Sequence, residues 1–423
     1  MQNNMSKKNK YLLPFILVTS LFFLWGFLHN LDPILIPHLK KSFSLSTLQS
    51  SLVDSAVFIA YFLMALPAGF LMKKYGYKAG IITGLLLFAS GSFLFIPAAN
   101  TQQYIFFLMA LFIIACGLTI LETAANPYAT LLGSRERSTQ RLNFAQSFNG
   151  LAATLAPIIG ARLILTKDYT SAELNGMTEA VRKLALATEA STVKMPYLIL
   201  GSILLVVAVF FALTKLPEIK DSTEENTGKN VLRAFRHRHL TWAVAAQFFY
   251  VGAQVCVFSF FILYAVDAAK IDKVKAADYL GWGCGMAFMI GRFLGTFFMK
   301  YIKPEKLLSW YAFINIFLCA AAMCTHGMMA VYQVIGITFF MSIMFPTIFA
   351  LGIKDLGSDT KFGSSLIIMS IVGGALLPPV FARIADVTKN IQYSYVVPLV
   401  CFIVILYFGL RGYKPAASLK KEG

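Results

Sequence analysis

Twelve stretches of this chain are long and apolar enough to cross a bilayer, and that property leaves few folds open to it. They run over residues 12–38, 48–73, 79–99, 103–131, 141–166, 195–215, 239–267, 276–301, 306–325, 328–353, 362–386 and 392–411. A helix needs about 20 residues to cross the hydrocarbon core. Inside lipid every backbone N–H and C=O must be satisfied within the protein, which a helix does by itself. The expected fold is therefore an all-α membrane protein of twelve transmembrane helices. Composition agrees, since only 13% of the residues are charged and 58% are apolar. Water-soluble domains carry about 25% charged residues.

The net charge of +17 raises the question of nucleic acid. The basic residues answer it, because they fall in short clusters between apolar stretches, where they act as topology signals and contacts to anionic lipid. Clusters such as Lys7-Lys8, Lys73-Lys74, Arg135 with Arg137, Arg236 with Arg238, and Lys300 with Lys303 occupy alternate connections. Lys40-Lys41 and Lys270 with Lys273 and Lys275 run against the pattern. The bias places both termini in the cytoplasm. The first stretch has no small-residue cleavage site after it and reads as a retained span.

Two connections are long. Residues 167–194 are expected outside, with a short surface helix over 172–186. Residues 217–238 are polar and read as a cytoplasmic linker between six spans in 1–216 and six in 239–423. The two parts resemble each other. Gly69-Phe70-Leu71-Met72-Lys73-Lys74 parallels Gly295-Thr296-Phe297-Phe298-Met299-Lys300, and Asn126-Pro127 parallels Phe345-Pro346. Such parallel repeats describe a 6+6 secondary transporter with a central site.

The residue that then carries function is Glu122, which ends the apolar stretch 103–131. A charge at the centre of a spanning helix costs about 2.5–3.5 kcal/mol on insertion scales. Desolvation favours its neutral form, so it suits a group that takes up and releases a proton. Two further acids, Asp32 and Asp54, lie near the outer ends of spans 1 and 2. Polar side chains repeat at helical spacing around them. Trp25 and His29 share a face of span 1 with Asp32, and Asn126 shares a face with Glu122. Asn143, Gln146 and Asn149 recur at intervals of three, and Gln247, Tyr250 and Gln254 line span 7. Amides donate to and accept from hydroxyls, and aromatic rings can stack on the apolar face of a sugar. Set against this, amides in membrane helices often only join helices. Arg292 reads as a helix anchor more than a substrate ligand.

All six cysteines lie in apolar stretches without a CxxC pair, which argues against a disulfide framework or a metal site. No Walker loop, HExxH or GxSxG occurs, so the chain is not expected to be an enzyme or to need a cofactor beyond a coupling proton.

Leu121-Glu122-Thr123-Ala124-Ala125-Asn126-Pro127-Tyr128, followed by Arg141-Leu142-Asn143-Phe144-Ala145-Gln146-Ser147-Phe148-Asn149, resembles the fucose–galactose–glucose:proton symporters of the major facilitator superfamily. Gly291-Arg292-Phe293-Leu294-Gly295-Thr296 and Phe345-Pro346-Thr347-Ile348-Phe349-Ala350 extend the likeness over nearly the whole chain. The resemblance implies proton-coupled import of a monosaccharide, L-fucose or a related hexose, by a monomer in the bilayer. It implies a proton-coupling and sugar-recognising role for Glu122 and a sugar-lining role for Gln146 and Asn149. The chain departs from the family in three places. Pro33 stands where the family has its span-1 Asp, so Asp32 is one residue early, about 100° round a helix. Asp54 stands where relatives typically show Gln, and Phe345 where fucose-transporting members show Tyr. Two other classes compete: an exporter of small metabolites or drugs with the same fold, and a sugar sensor that does not transport. The amide stripe argues against the apolar cavity an exporter would favour.

Overall fold

The computed structural model describes residues 2–31, 47–101, 103–164, 176–217 and 236–415, with Phe43, Glu173 and Ala234 between them. All regular structure among the described residues is helical. Helix α1 covers Gln2–His29. Helix α2 runs over Thr47–Thr101, 55 residues. At 1.5 Å per residue that is about 80 Å, far more than one crossing of a ~30 Å core. It is broken at Gly76, whose φ of 81° and ψ of 173° suit only a residue without a Cβ. The expected spans 48–73 and 79–99 therefore meet through a single glycine.

Helix α3 (Tyr104–Leu131), α4 (Ser138–Ile164) and α6 (Lys194–Leu213) match expected spans within three residues. Of the expected surface helix over 172–186, residues 172, 174 and 175 lie outside the described residues. Helix α5 covers Glu179–Ser191, because Thr178 is extended and an acid in the first turn favours a start there. The later spans are segmented. Residues 239–267 form α7 (Arg238–Ser259) and α8 (Phe261–Ala269). Residues 276–301 form α9 (Lys273–Asp278), a π-helical turn (Tyr279–Gly285) and α10 (Met286–Phe298). The turn holds Gly281, Gly283 and Gly285, which resist regular α-helix. Helix α11 is continuous over Pro304–Cys324. Then come α12 (Met328–Met341), α13 (Met344–Gly352), α14 (Thr360–Met369), α15 (Gly373–Thr388) and α16 (Val396–Tyr407).

Nine helical stretches among the described residues are long and apolar enough to cross a membrane. Large apolar side chains such as Val206, Val209, Leu213, Trp310 and Phe317 lie exposed along them. On a soluble protein so much exposed apolar surface would be anomalous, whereas it suits helices long and apolar enough to cross a membrane.

The chain forms two compact units that do not follow chain order. One comprises Phe23–Ala124 and Ala152–Leu216. In it α2 packs along α6, with the Phe95 and Tyr197 rings stacked at 3.8 Å and 2° between planes. Lys78 Nζ donates to the carbonyls of Ala212 (2.7 Å) and Thr214 (3.0 Å), placing a cation on the C-terminus of α6. The other unit comprises Met1–Phe22, Ala125–Leu151 and Pro217–Gly423. Helix α7 is its hub and packs against α13, α15 and α16. Tyr264 Oη and Gln392 Nε2 both donate to the Ala322 carbonyl, at 2.7 and 3.1 Å, and hold the end of α11.

Candidate functional site

Helix α3 carries a single charged residue, Glu122, in a largely apolar sequence. Glycine brings it close to the second part of α2. A Cβ on Gly84 would stand 2.9 Å from both the Gly117 carbonyl oxygen and the Leu121 nitrogen. Contacts of this kind let membrane helices approach backbone to backbone. They leave Glu122 only 9% exposed. The first part of α2 supplies its partner, as Tyr61 Oη donates to Glu122 Oε1 at 2.9 Å. Among the described residues no cation lies within salt-bridge distance of Glu122, and Tyr61 is its one hydrogen-bond partner. A carboxyl in apolar walls with one phenol donor can carry a proton, and can be ionised while keeping one hydrogen bond.

In the same unit Trp25 is buried, and His29 reaches a small cavity with Val57, Leu111, Leu118 and Tyr197. Asp32 lies outside the described residues. The side chain of Asp54 also lies outside them, although its backbone belongs to α2. The displaced acid of span 1 therefore keeps only its sequence-based assignment.

The amides gather in the other unit. Gln146 Nε2 donates to Asn126 Oδ1 at 3.1 Å, which joins α4 to the end of α3. Asn143 Nδ2 donates to the Thr139 carbonyl at 3.0 Å and to Thr347 Oγ1 on α13 at 3.1 Å. The free ends of these amides are buried without a protein partner: Asn126 Nδ2 and Asn143 Oδ1. Gln247 on α7 is fully buried with both amide atoms unpartnered, and so is the Tyr250 hydroxyl one turn on. The Tyr250 and Phe345 rings meet edge to face at 6.3 Å. Asn149 and Gln254 are half-buried at the ends of their stripes. Part of the amide stripe thus joins helices, and part presents buried hydrogen-bonding atoms that no described residue uses. Each such atom costs about 1–3 kcal/mol in a dry interior.

Arg292 confirms its reading as an anchor. It is 4% exposed, and its guanidinium donates to the Ser342 carbonyl through Nε and to the Gln146 carbonyl through Nη1, both at 2.8 Å. The guanidinium also stacks 4.5 Å over the Phe288 ring. It ties α10 to the break between α12 and α13 and to α4, with no carboxylate in the arrangement. Arg141 acts similarly at the end of α3, donating to the carbonyls of Ala129, Thr130 and Ser134.

Sequence reading missed Tyr61, Thr347 and Ser342. Tyr61 stands alone in an apolar span with no polar period around it. The Thr347 hydroxyl is short enough to vanish among apolar neighbours, and Ser342 acts through its backbone carbonyl, which side-chain patterns do not reveal. Only their proximity to residues about fifty to two hundred positions away gives them meaning.

The profile of the Major Facilitator Superfamily matches residues 15–377. The chain is 42% identical to the L-fucose-proton symporter of Escherichia coli (strain K12) over 410 residues, 95% of this chain and 93% of that protein. It is 41% identical to a glucose/galactose transporter of Brucella abortus over 399 residues, covering 94% and 93%. Its structure is similar to that of a Major Facilitator Superfamily transporter, FucP, in the outward conformation. That likeness has a TM-score of 0.89 at 42% identity, over 95% of this chain and 98% of that one.

Proposed function

The chain belongs to the Major Facilitator Superfamily, and from that premise we propose that it is a proton-coupled symporter that imports a monosaccharide by alternating access. The observation that carries the reading is Glu122, a buried carboxyl held by one phenol and facing no cation among the described residues. A group placed for stability in lipid would be paired or replaced by an apolar residue. A group that alternates between neutral and ionised forms needs this kind of setting. Glu122 takes a proton from outside, sugar binds, the loaded carrier turns inward, and the proton leaves.

The sugar meets the buried atoms left open by Asn126, Asn143, Gln247 and Tyr250, with Gln146, Asn149, Gln254 and Phe345 contributing further contacts; Trp25 and His29 keep their sequence-based assignment to the sugar. The substrate is a hexose of the kind named for the relatives: L-fucose, galactose or glucose. Phe345 offers an aromatic face with no hydroxyl, which favours a sugar needing one polar contact fewer at that point. Asp32 and Asp54 are the candidates for a second acid. The carrier works as a monomer in a bacterial inner membrane, with twelve spans, the halves 1–216 and 239–423 joined by a cytoplasmic 217–238, and both termini inside. Neither a metal nor an organic cofactor enters this scheme; the proton is the coupling species.

The test is a panel of L-fucose, galactose, glucose, mannose and N-acetylhexosamines added to proteoliposomes holding the purified chain. A coupled sugar makes the outer medium more alkaline as it enters. An exporter or a sensor produces no such signal with any sugar of the panel, and that result would refute the proposal.

A further inference from the structure

Resting on the reading of Glu122 as the proton carrier, we propose that Tyr61 is a positioning residue that governs when Glu122 releases its proton. The geometry carries it. Tyr61 is 4% exposed, its ring is fixed in the first part of α2, and its hydroxyl donates to Oε1 at 2.9 Å. A hydrogen bond to an ionised carboxylate is roughly twice as strong as one to a neutral acid. Tyr61 therefore acts unequally on the two forms of Glu122, holding the ionised one by the stronger hydrogen bond.

The surroundings leave this role to Tyr61. Helix α3 has no other charged side chain, and its nearest thiol is Cys116, six residues away. Around Gly80 and Gly84 the second part of α2 presents glycine and backbone to Ala124, Gly117 and Leu121. From α1 the titratable neighbour is His29, which shares a cavity with Leu118, one turn before Glu122. Among the described residues no cation pairs with the carboxyl, and Tyr61 is the one side chain that hydrogen-bonds to it.

The experiment uses the full chain in proteoliposomes and follows proton-driven uptake and sugar counterflow across pH. Tyr61→Phe keeps the ring and removes the donor. Its upper pH limit for proton-driven uptake is expected to rise by about one unit, which corresponds to about 1.36 kcal/mol of lost preference for the ionised form. Accumulation falls, because proton release on the inner side becomes slow, while counterflow at acid pH persists. Site-specific fluorotyrosine at position 61 keeps the shape with a more acidic phenol and moves the limit the other way. This second variant tests the inference even if the first fails to fold. In a Glu122→Gln background, where only counterflow remains to be read, Tyr61→Phe is expected to leave the pH profile of counterflow where it was. A Tyr61→Phe profile that only shrinks without moving overturns the inference. So do two variants that move the limit in the same direction, or a counterflow profile that moves in the Gln background. A parent chain that moves no protons with sugar overturns the carrier reading itself.

Discussion

Replacing Glu122 by Gln removes the proton from the scheme and almost nothing else. The amide has the size of the carboxyl, and its oxygen still accepts from Tyr61 Oη, now at 2.9 Å from Oε1. The new NH2 group enters apolar walls, so the stability cost is that of one buried donor, about 1–3 kcal/mol. That lowers the thermal midpoint without abolishing the fold. The transport effect is far larger. One charge crossing 100 mV yields about 2.3 kcal/mol. At 1.4 kcal/mol per factor of ten, one proton per sugar then supports accumulation of about 50-fold. The variant is expected to stop at equal concentrations inside and out, while exchanging labelled for unlabelled sugar at zero potential. The assay is uptake of radiolabelled sugar into proteoliposomes under an imposed potential, with counterflow measured beside it. Concentrative uptake by Glu122→Gln would refute the reasoning. Loss of counterflow in a well-folded variant would recast Glu122 as a sugar ligand.

Gln247→Leu removes two buried atoms that have no protein partner, so its thermal midpoint is expected to hold or rise, while half-saturation in counterflow rises about tenfold, for a loss of roughly 1–1.5 kcal/mol. Arg292→Met leaves the Ser342 and Gln146 carbonyls without their donor and is expected to destabilise by several kcal/mol, at about 1–3 for each. Arg292→Lys recovers only part, since an ammonium lacks the guanidinium fork; thermal denaturation in detergent ranks the two. Gly117→Val drives a side chain into the backbone of Gly84 and Phe88, and size-exclusion chromatography is expected to show little monodisperse protein.

The helical spans were legible because length and apolarity are summed over twenty residues and survive local error. Their breaks were less so. The interruption at Phe260 and the π-helical turn at Tyr279–Gly285 lie inside continuous apolar stretches, where hydropathy sees no boundary. Glu122 was legible through its cost, and Asn126, Asn143 and Gln146 through their spacing. Their division of labour was not. Spacing puts Asn143 and Gln146 near one face of α4, but only the fold shows that Asn143 spends its donors on Thr139 and Thr347 while Gln146 spends one on Asn126. Tyr61 was invisible because its importance lies in meeting Glu122, sixty-one residues away.

The distribution of satisfied and unsatisfied atoms separates what holds this protein together from what it handles. Arg292, Arg141 and Lys78 are cations in or beside apolar helices, and each gives its hydrogen bonds to backbone carbonyls near helix breaks or ends. They behave as fasteners and need nothing from outside the chain. Gln247, Tyr250 and the free ends of Asn126 and Asn143 are the reverse, neutral groups buried with atoms left over. At about 1–3 kcal/mol apiece, these atoms together weigh against folding on the scale of a domain's whole stability, roughly 5–15 kcal/mol. Apolar side chains of similar volume would remove that cost. A sugar removes it too, because its hydroxyls both donate and accept. Glu122 belongs with the second set, since its one hydrogen bond persists in both of its states but is strong in only one. Where the fasteners end and the unsatisfied atoms begin is where transport chemistry is to be sought in this chain.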